Sequence, residues 1–440
     1  MKLPGLTSFM SAQTEGIGFS GQSDITNEKQ LSSSEGDHKG TPLQWHYWWE
    51  ATKQVLPIYI AVHIAAFIIT CLAVLFTLHD FQGNYFPLST IWHSWNQWDT
   101  KGHFIVIATQ GYANILDTAF FPLYPILMRG VMFLGLSPLI SGLLISNIAG
   151  LFALIVLYQL VREDFSAEDA WRTVLYISLF PTAFFFIAAY NETLFLLLSL
   201  LSFYAIRHSR WWQAGIFGFL ACLTRSAGLF LLVPFVYEYW RQHEFQLTPL
   251  RIGSIFKSIF KQVRIDVISA ALIPAGIAVF ALYCYLISGD ALAFSHVQAH
   301  WQRSLAAPWH AMWETFAIIR HSTGFLSFYS LRNLLDLLPN IFILILIVLT
   351  FVGPWRWPRA YWAYGLYAAT LFLFVQLVPA SDATLFPLQS TARFMLEIFP
   401  AFIMLAILGK SRQVNLYYLL IASSMGFFLL TQFLTGHWVV

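Results

Sequence analysis

Long apolar runs, separated by short polar corners, organise this chain. A helix needs about 20 apolar residues to cross the hydrocarbon core. Runs of that length fall at 55–78, 138–160, 171–189, 265–288, 360–379 and 415–436. Shorter runs at 192–207, 338–353 and 395–409 qualify if they tilt little or sit among neighbours. A long run at 211–240 is interrupted by Thr224-Arg225-Ser226 and predicts two short helices with a polar junction. The pattern therefore predicts an all-α, polytopic transmembrane helical bundle of about eleven spans.

Loop charge supplies an orientation, because cytoplasmic loops are enriched in Lys and Arg. With the N-terminus inside, the inner loops hold Lys53, Arg162, Arg172, Arg207, Arg210, Arg241, Arg251, Lys257, Lys261, Arg264, Arg356, Arg359, Lys410 and Arg412. The outer loops are longer yet poorer. Loop 79–137 holds Lys101 and Arg129, loop 289–337 holds Arg303, Arg320 and Arg332, and 380–394 holds only Arg393. Within 79–137, the stretches 91–108 and 120–136 are amphipathic or apolar and studded with aromatics. They read as helices lying in the interface, with a hairpin of two further spans at 104–136 as the alternative.

Composition agrees with a lipid-facing chain. The 440 residues are 58% hydrophobic, 18% aromatic and only 10% charged, against about 25% charged in a typical soluble domain. Residues 1–44 differ: rich in Ser, Gly, Thr and Gln and without an apolar core, they read as a disordered cytoplasmic tail ahead of a membrane domain at 45–440. The net charge of +2 is scattered rather than clustered, which gives no footprint for nucleic acid. Cys71, Cys222 and Cys284 each lie in an apolar run with no metal-type spacing and read as small hydrophobes.

Ionisable groups at membrane depth are costly and by default mark a function. Four segments, all assigned to the outer side, carry them: Gln97-Trp98-Asp99-Thr100-Lys101-Gly102-His103, then Tyr190-Asn191-Glu192, Thr224-Arg225-Ser226, and Ser390-Thr391-Ala392-Arg393. Each has a plain structural alternative: a helix N-cap for Asp99, a solvated turn for Asn191 and Glu192, a snorkelling Arg225, an interface anchor at Arg393. Together they suit group transfer, which needs a base for an acceptor proton and cations on a departing phosphate. On residues alone, a transferase and a transporter or flippase of lipid-linked sugars or anions remain rivals. A transporter favours inverted repeats, and no internal repeat is visible. A non-catalytic partner of another membrane enzyme is a third reading.

Five ordered motifs then resemble one family. They are Trp98-Asp99 with Ile107-Ala108, Gly111-Tyr112 and Phe120-Phe121-Pro122-Leu123-Tyr124-Pro125; Phe180-Pro181-Thr182 leading to Ala188-Ala189-Tyr190-Asn191-Glu192-Thr193-Leu194-Phe195; Leu223-Thr224-Arg225-Ser226-Ala227-Gly228-Leu229; Gly289-Asp290 through Phe294, Gln298, Trp301 and Pro308-Trp309; and Arg393-Phe394 with Phe399-Pro400. This series resembles the PIG-V-like mannosyltransferases. The resemblance implies a GT-C glycosyltransferase fold, a polyprenyl-phosphate sugar donor carrying mannose, inversion at the anomeric carbon, and Asp99 as general base. It further nominates Trp98, Lys101, His103, Tyr124, Asn191, Glu192, Arg225, Gln298 and Arg393 as substrate-binding residues. The acceptor stays open, membrane lipid is the surrounding partner, and a bacterial plasma membrane is favoured over the endoplasmic reticulum. No cofactor is expected; a divalent cation between Asp99 and Glu192, or on His296 and His300 four residues apart, is the alternative. One departure stands out. Asp99 to Gly111 is twelve positions, one more than the family pattern, and the extra residue lies within Thr100–Gly102.

Overall fold

The computed structural model describes residues 43–77, 88–243, 265–380 and 385–437. The expected tail at 1–42, and the loop charges Arg251, Lys257, Lys261 and Arg264, lie outside the described residues. Contacts within the chain separate Met1–Tyr47 from a compact unit at Trp48–Val440; of the former, only the first turn of a long helix is described.

Among the described residues the regular secondary structure is entirely helical. The principal helices are α1 Leu43–Thr77, α2 Leu123–Met132, α3 Pro138–Asp164, α4 Ala167–Leu179, α5 Glu192–Arg207, α6 Trp211–Thr224, α7 Leu232–Gln242, α8 Leu272–Ser288, α9 His310–His321, α10 Phe328–Phe351, α11 Trp362–Leu377, α12 Phe399–Leu408 and α13 Arg412–Leu434. Capping follows the sequence where a polar residue precedes a helix. Ser137 accepts from the Ile140 amide ahead of α3, Ser166 from Asp169 ahead of α4, and Ser327 from Ser330 ahead of α10, each satisfying an otherwise orphaned N–H.

Among the described residues, six helices are long and apolar enough to cross a bilayer, or seven if the segment Thr391–Glu397 and α12, bent by 78°, count as one span. This is fewer than the eleven expected. The helices that account for the difference are short. The 16 residues of α5 reach about 24 Å at 1.5 Å per residue, less than the roughly 30 Å hydrocarbon core. Its residues from Glu192 to Leu196 are buried, so neighbouring helices rather than lipid set its length. The run 171–189 likewise stops at Leu179, and Pro181 is followed by a 3₁₀ turn at Ala183–Phe186. Within the described part of the first outer loop no helix exceeds ten residues, so the hairpin of spans at 104–136 is not formed. Short helices form there instead, at Leu88–His93, Ile105–Gln110 and Leu123–Met132.

The centre of the bundle is occupied by α12, buried from Phe399 through Ala406, with α4, α10 and α11 packed against it. Close helix approach uses glycine. A Cβ on Gly276 of α8 would lie 2.4 Å from the Phe219 carbonyl oxygen of α6, and one on Gly215 of α6 would lie 2.3 Å from the Ser269 carbonyl. Small residues at such crossings are how membrane helices gain packing without a hydrophobic drive.

The charges separate along α5. At its C-terminus Arg207 binds Asp164 of α3 and Glu238 of α7, both at 2.8 Å. At its N-terminus lies Glu192, where the four polar corners converge.

Candidate active site

Asp99 follows Trp98, which adopts a left-handed backbone (φ 48°), an unfavourable conformation for a bulky residue. It precedes a π-helical turn at Thr100–Phe104 that continues into the helix Ile105–Gln110. A single-turn π-bulge is how a helix absorbs one inserted residue, and here it spans Thr100–Phe104, directly after Asp99. Asp99 occupies the N-cap position, yet its side chain makes no capping hydrogen bond. It turns instead to Arg393, whose Nη1 lies 3.0 Å from Asp99 Oδ2. The Thr100 hydroxyl donates to the Ala189 carbonyl at 3.1 Å, fastening this corner to the second one.

There, Asn191 and Glu192 open α5, and Glu192 is 1% exposed, which excludes a solvated turn. Arg225, at the extended junction after α6 (φ −157°), reaches back into the bundle. Its Nη1 lies 3.1 Å from Glu192 Oε1 and 2.7 Å from Glu397 Oε1, and it also approaches Asn191 Oδ1 at 3.4 Å. Asn191 is held in turn by its own donation to the Thr224 carbonyl at 3.0 Å. Arg225 therefore does not snorkel. Arg393, on the short helix Thr391–Phe394 after a left-handed Ser390 (φ 67°), places its Nε 3.2 Å from Glu192 Oε1. It is an interior residue rather than an interface anchor.

A third arginine completes the group. Arg303, from the second outer loop, donates to the carbonyls of Val378 and Gln389 at 3.2 and 3.3 Å. The guanidinium groups of Arg225, Arg393 and Arg303 all lie over the Phe394 ring, at 4.6, 5.1 and 5.6 Å from its centroid, a favourable cation–π geometry. Burial, with Arg393 and Arg225 nearby, pulls Arg303 down to about 10, which leaves it charged at neutral pH.

Three arginines and three carboxylates thus face one cavity of ≈ 350 Å³, walled on its apolar side by Phe120, Phe121, Trp301 and Phe374. The polar groups are incompletely satisfied. Glu192 Oε2 has no hydrogen-bond partner among the described residues, and the ion-paired Arg393 Nε and Glu397 Oε1 lack hydrogen-bond angles. Buried polar groups are ordinarily bonded, so this is an arrangement with capacity for a polar ligand.

Of the residues singled out in the sequence, Asp99, Asn191, Glu192, Arg225, Gln298 and Arg393 line the cavity. Trp98, Lys101, His103 and Tyr124 do not. Lys101 is exposed. His103 is bound to Asp117 at 3.0 Å and stacked on Phe120 at 4.2 Å, with Trp301 edge-on at 5.8 Å, so it supports the aromatic wall from behind. Tyr124 is fully buried and bonds the Gly142 carbonyl and Ser146. Trp98 packs against the core. Two charged cavity residues were not singled out as site residues, Arg303 and Glu397. A carboxylate within the apolar run 395–409 was the available signal for Glu397. Among the described residues no three His, Cys, Asp or Glu side chains converge as metal ligands. His296 is bonded to Asp290 at 2.7 Å, a bond that holds the Asp290 carboxyl below its ordinary range.

Comparison with known proteins follows the same residues. The family described as Mannosyltransferase (PIG-V) matches residues 87–410. The chain is 27% identical over 201 residues to GPI alpha-1,6-mannosyltransferase 2 of Cricetulus griseus, covering 43% of this chain and 40% of that protein. It is 31% identical over 185 residues to the Homo sapiens protein of the same description, covering 38% of this chain and 37% of the relative. The matched stretches are thus less than half the length of these relatives. Among solved structures, ArnT from Cupriavidus metallidurans bound to undecaprenyl phosphate superposes with a TM-score of 0.44 at 14% identity, over 74% of this chain and 58% of that one. The apo oligosaccharyltransferase of Archaeoglobus fulgidus gives 0.42 at 12% identity, over 87% and 56%.

Proposed function

Since this chain belongs to the PIG-V mannosyltransferase family, we propose that it is a membrane glycosyltransferase moving mannose from a polyprenyl-phosphate carrier to an acceptor hydroxyl. The observation that carries the reading is the shared cluster in which Arg393 joins Asp99 to Glu192 and Arg225 joins Glu192 to Glu397, beside an aromatic wall. Loop charge asymmetry supports a non-cytoplasmic face for this cavity, and the proposed membrane is a bacterial plasma membrane in preference to the endoplasmic reticulum.

The chemistry divides between the two signs of charge. Asp99 holds Arg393 through Oδ2, which leaves Oδ1 to accept the acceptor proton as general base. The acceptor oxygen then attacks the anomeric carbon. The bond from that carbon to the phosphate oxygen breaks, and its electron pair stays on the phosphate. The guanidinium groups stabilise that growing charge. Phosphate also competes with the carboxylates for Arg393, so arrival of the donor loosens Asp99 when a base is needed. Aromatic side chains at Phe120 and Trp301 offer flat apolar faces to the sugar ring.

The test is to incubate the purified protein with radiolabelled polyprenyl-phosphate mannose and a panel of acceptors. Transfer of label with inversion is expected. Labelling from a soluble sugar nucleotide alone, or transport of intact carrier without transfer, would overturn the proposal.

A further inference from the structure

Arg225 and Arg393 are each shared between two carboxylates. Arg303 is the exception in this cavity: among the described residues no carboxylate lies within ion-pair distance of it, and its hydrogen-bond partners are the Val378 and Gln389 carbonyls. A guanidinium carries five N–H donors, so those two bonds fix its plane and leave donors uncommitted. The fork presents to a planar pair of oxygens a geometry that lysine cannot reproduce.

The backbone marks the same residue independently. Four described non-glycine residues have positive φ: Trp98, Ser209, Gln302 and Ser390. Trp98 immediately precedes Asp99, Ser390 opens the short segment bearing Arg393, and Gln302 (φ 56°) immediately precedes Arg303. Such strain concentrates where the fold must aim a functional side chain. It falls on Arg303 as it does on the two residues already in the cluster.

We propose that Arg303 is a phosphate-binding residue of the cavity, its uncommitted donors gripping a phosphate group while Arg225 and Arg393 remain partly engaged by their carboxylates. The inference rests on the lipid-phosphate donor reading for its lipid source, and on the geometry alone for phosphate. It adds Arg303, over the same Phe394 ring as Arg225 and Arg393, as a further contact for the leaving group beside the paired charges around Asp99 and Glu192, where the hydroxyl is activated.

The experiment measures binding by full-length protein in maltoside, a detergent without phosphate, in phosphate-free buffer. The probes are polyprenyl monophosphate, polyprenol and inorganic phosphate, against wild type, Arg303→Lys and Arg303→Gln, each normalised to folded protein by its melting curve. Loss of a charge-assisted bond predicts that Arg303→Gln weakens phosphate binding about 10-fold or more. Arg303→Lys should fall between, and polyprenol binding should be unchanged. Arg303-dependence in the polyprenyl phosphate arm identifies a lipid headgroup, and in the inorganic phosphate arm alone a free ion. Wild-type affinity for both phosphates in Arg303→Gln overturns the proposal, as does an equal loss for polyprenol, which marks a loop clamp. So does a wild type that binds neither phosphate. Mannosyl transfer is assayed in parallel. A wild type that binds phosphate through Arg303 but transfers no mannose removes the proposed reaction and keeps this residue's role. Transfer with unchanged donor KM and phosphate affinity in Arg303→Gln does the reverse.

Discussion

Arg393 and Asp99, 294 positions apart in the chain, meet through a single contact of 3.0 Å between Nη1 and Oδ2. The pairing explains why a carboxylate at the start of a helix is not spent on capping it. In the proposed reaction it would also set the order of events: a free Asp99 would be an uncompensated charge, covered by Arg393 until an anionic donor competes for the guanidinium.

Asp99→Asn keeps the shape and an oxygen for Arg393 but cannot take a proton. Turnover should fall at least about 100-fold, the usual scale for losing a general base, with the melting temperature little changed. The check is initial-rate transfer from labelled polyprenyl-phosphate mannose beside a thermal melt. Near-normal transfer would return Asp99 to a structural role.

Arg225 has two functions that substitutions should separate. Arg225→Ala leaves Glu192 and Glu397 buried with less compensation, and breaking a buried pair this way costs about 3–5 kcal/mol. Both yield and melting temperature should drop. Adding Glu397→Gln removes one of the stranded charges and should restore part of the stability, without restoring donor use. Among single variants, donor use should fall in the order wild type, Arg225→Lys, Arg225→Ala, because lysine keeps charge but not paired hydrogen bonding. If the double variant regains both stability and donor KM, the phosphate rests with Arg303 and Arg393.

Much of this site was legible in the sequence because hydrocarbon makes charge conspicuous. Glu192, Arg225 and Arg393 stand out against apolar neighbours, and the structure brings all three together with Asp99. Arg303 was not legible as a site residue. It sits in a polar loop, where a charge raises no question until the fold carries that loop over the cavity. Lys101 and His103 shared a segment with Asp99, but the π-turn at Thr100–Phe104 determines which way each points, and such a turn leaves no hydropathy signal. The count of eleven spans is not confirmed for a related reason. Short helices such as α5 and α6 pack on one another, so a rule based on bilayer thickness does not apply to them.

Gly276 should be intolerant of even one methyl group. Its Cβ would meet backbone and the Cys222 Cβ, at 2.4 and 2.7 Å, so α8 must move off α6 to admit it. Gly276→Ala should therefore cost about 1–3 kcal/mol, the range for overpacking, seen as a lower melting temperature in detergent. Gly289→Ala is a contrasting case, since open space surrounds that position but its φ is 75°; it should strain the turn and leave the helix crossing intact. Equal and negligible effects would mean that the α6–α8 contact is loose.

His208, just beyond α5, gives a pH signature at the opposite end of the bundle from the cavity. Its bond to Glu163, 3.3 Å from Nε2 to Oε2, raises its affinity for a proton. A raised folded value means that the stabilisation is fully present below the unfolded value of about 6.5 and is lost as pH climbs through the folded one. The pair is partly exposed, so the effect is at most about 1 kcal/mol. Wild type should melt slightly above His208→Gln at pH 5.5 and level with it at pH 9; a gap that widens with pH would contradict the assignment.

The segment bearing Arg393 is held from behind, and that support should be separable from the chemistry. Asn340 of α10 donates to the Asp336 carbonyl and to Thr391 Oγ1, both at 2.7 Å, and accepts from Gln376 of α11 at 2.6 Å. Thr182 adds a bond to the Ala392 carbonyl at 3.1 Å. None of these side chains lines the cavity, so their effect on transfer passes through the position of Arg393. Misplacing a reacting group by about 1 Å can cost up to 100-fold. Asn340→Leu keeps the volume and loses all three bonds; kcat should fall about 10-fold while phosphate affinity, carried in part by Arg303, changes far less. Thr391→Val removes the same contact from the other side. If the two act through one bond, the double variant should be scarcely worse than Asn340→Leu alone, with a coupling energy above about 0.5 kcal/mol. Additive losses in kcat, or a loss confined to melting temperature, would show that Asn340 supports the bundle and not the aim of Arg393.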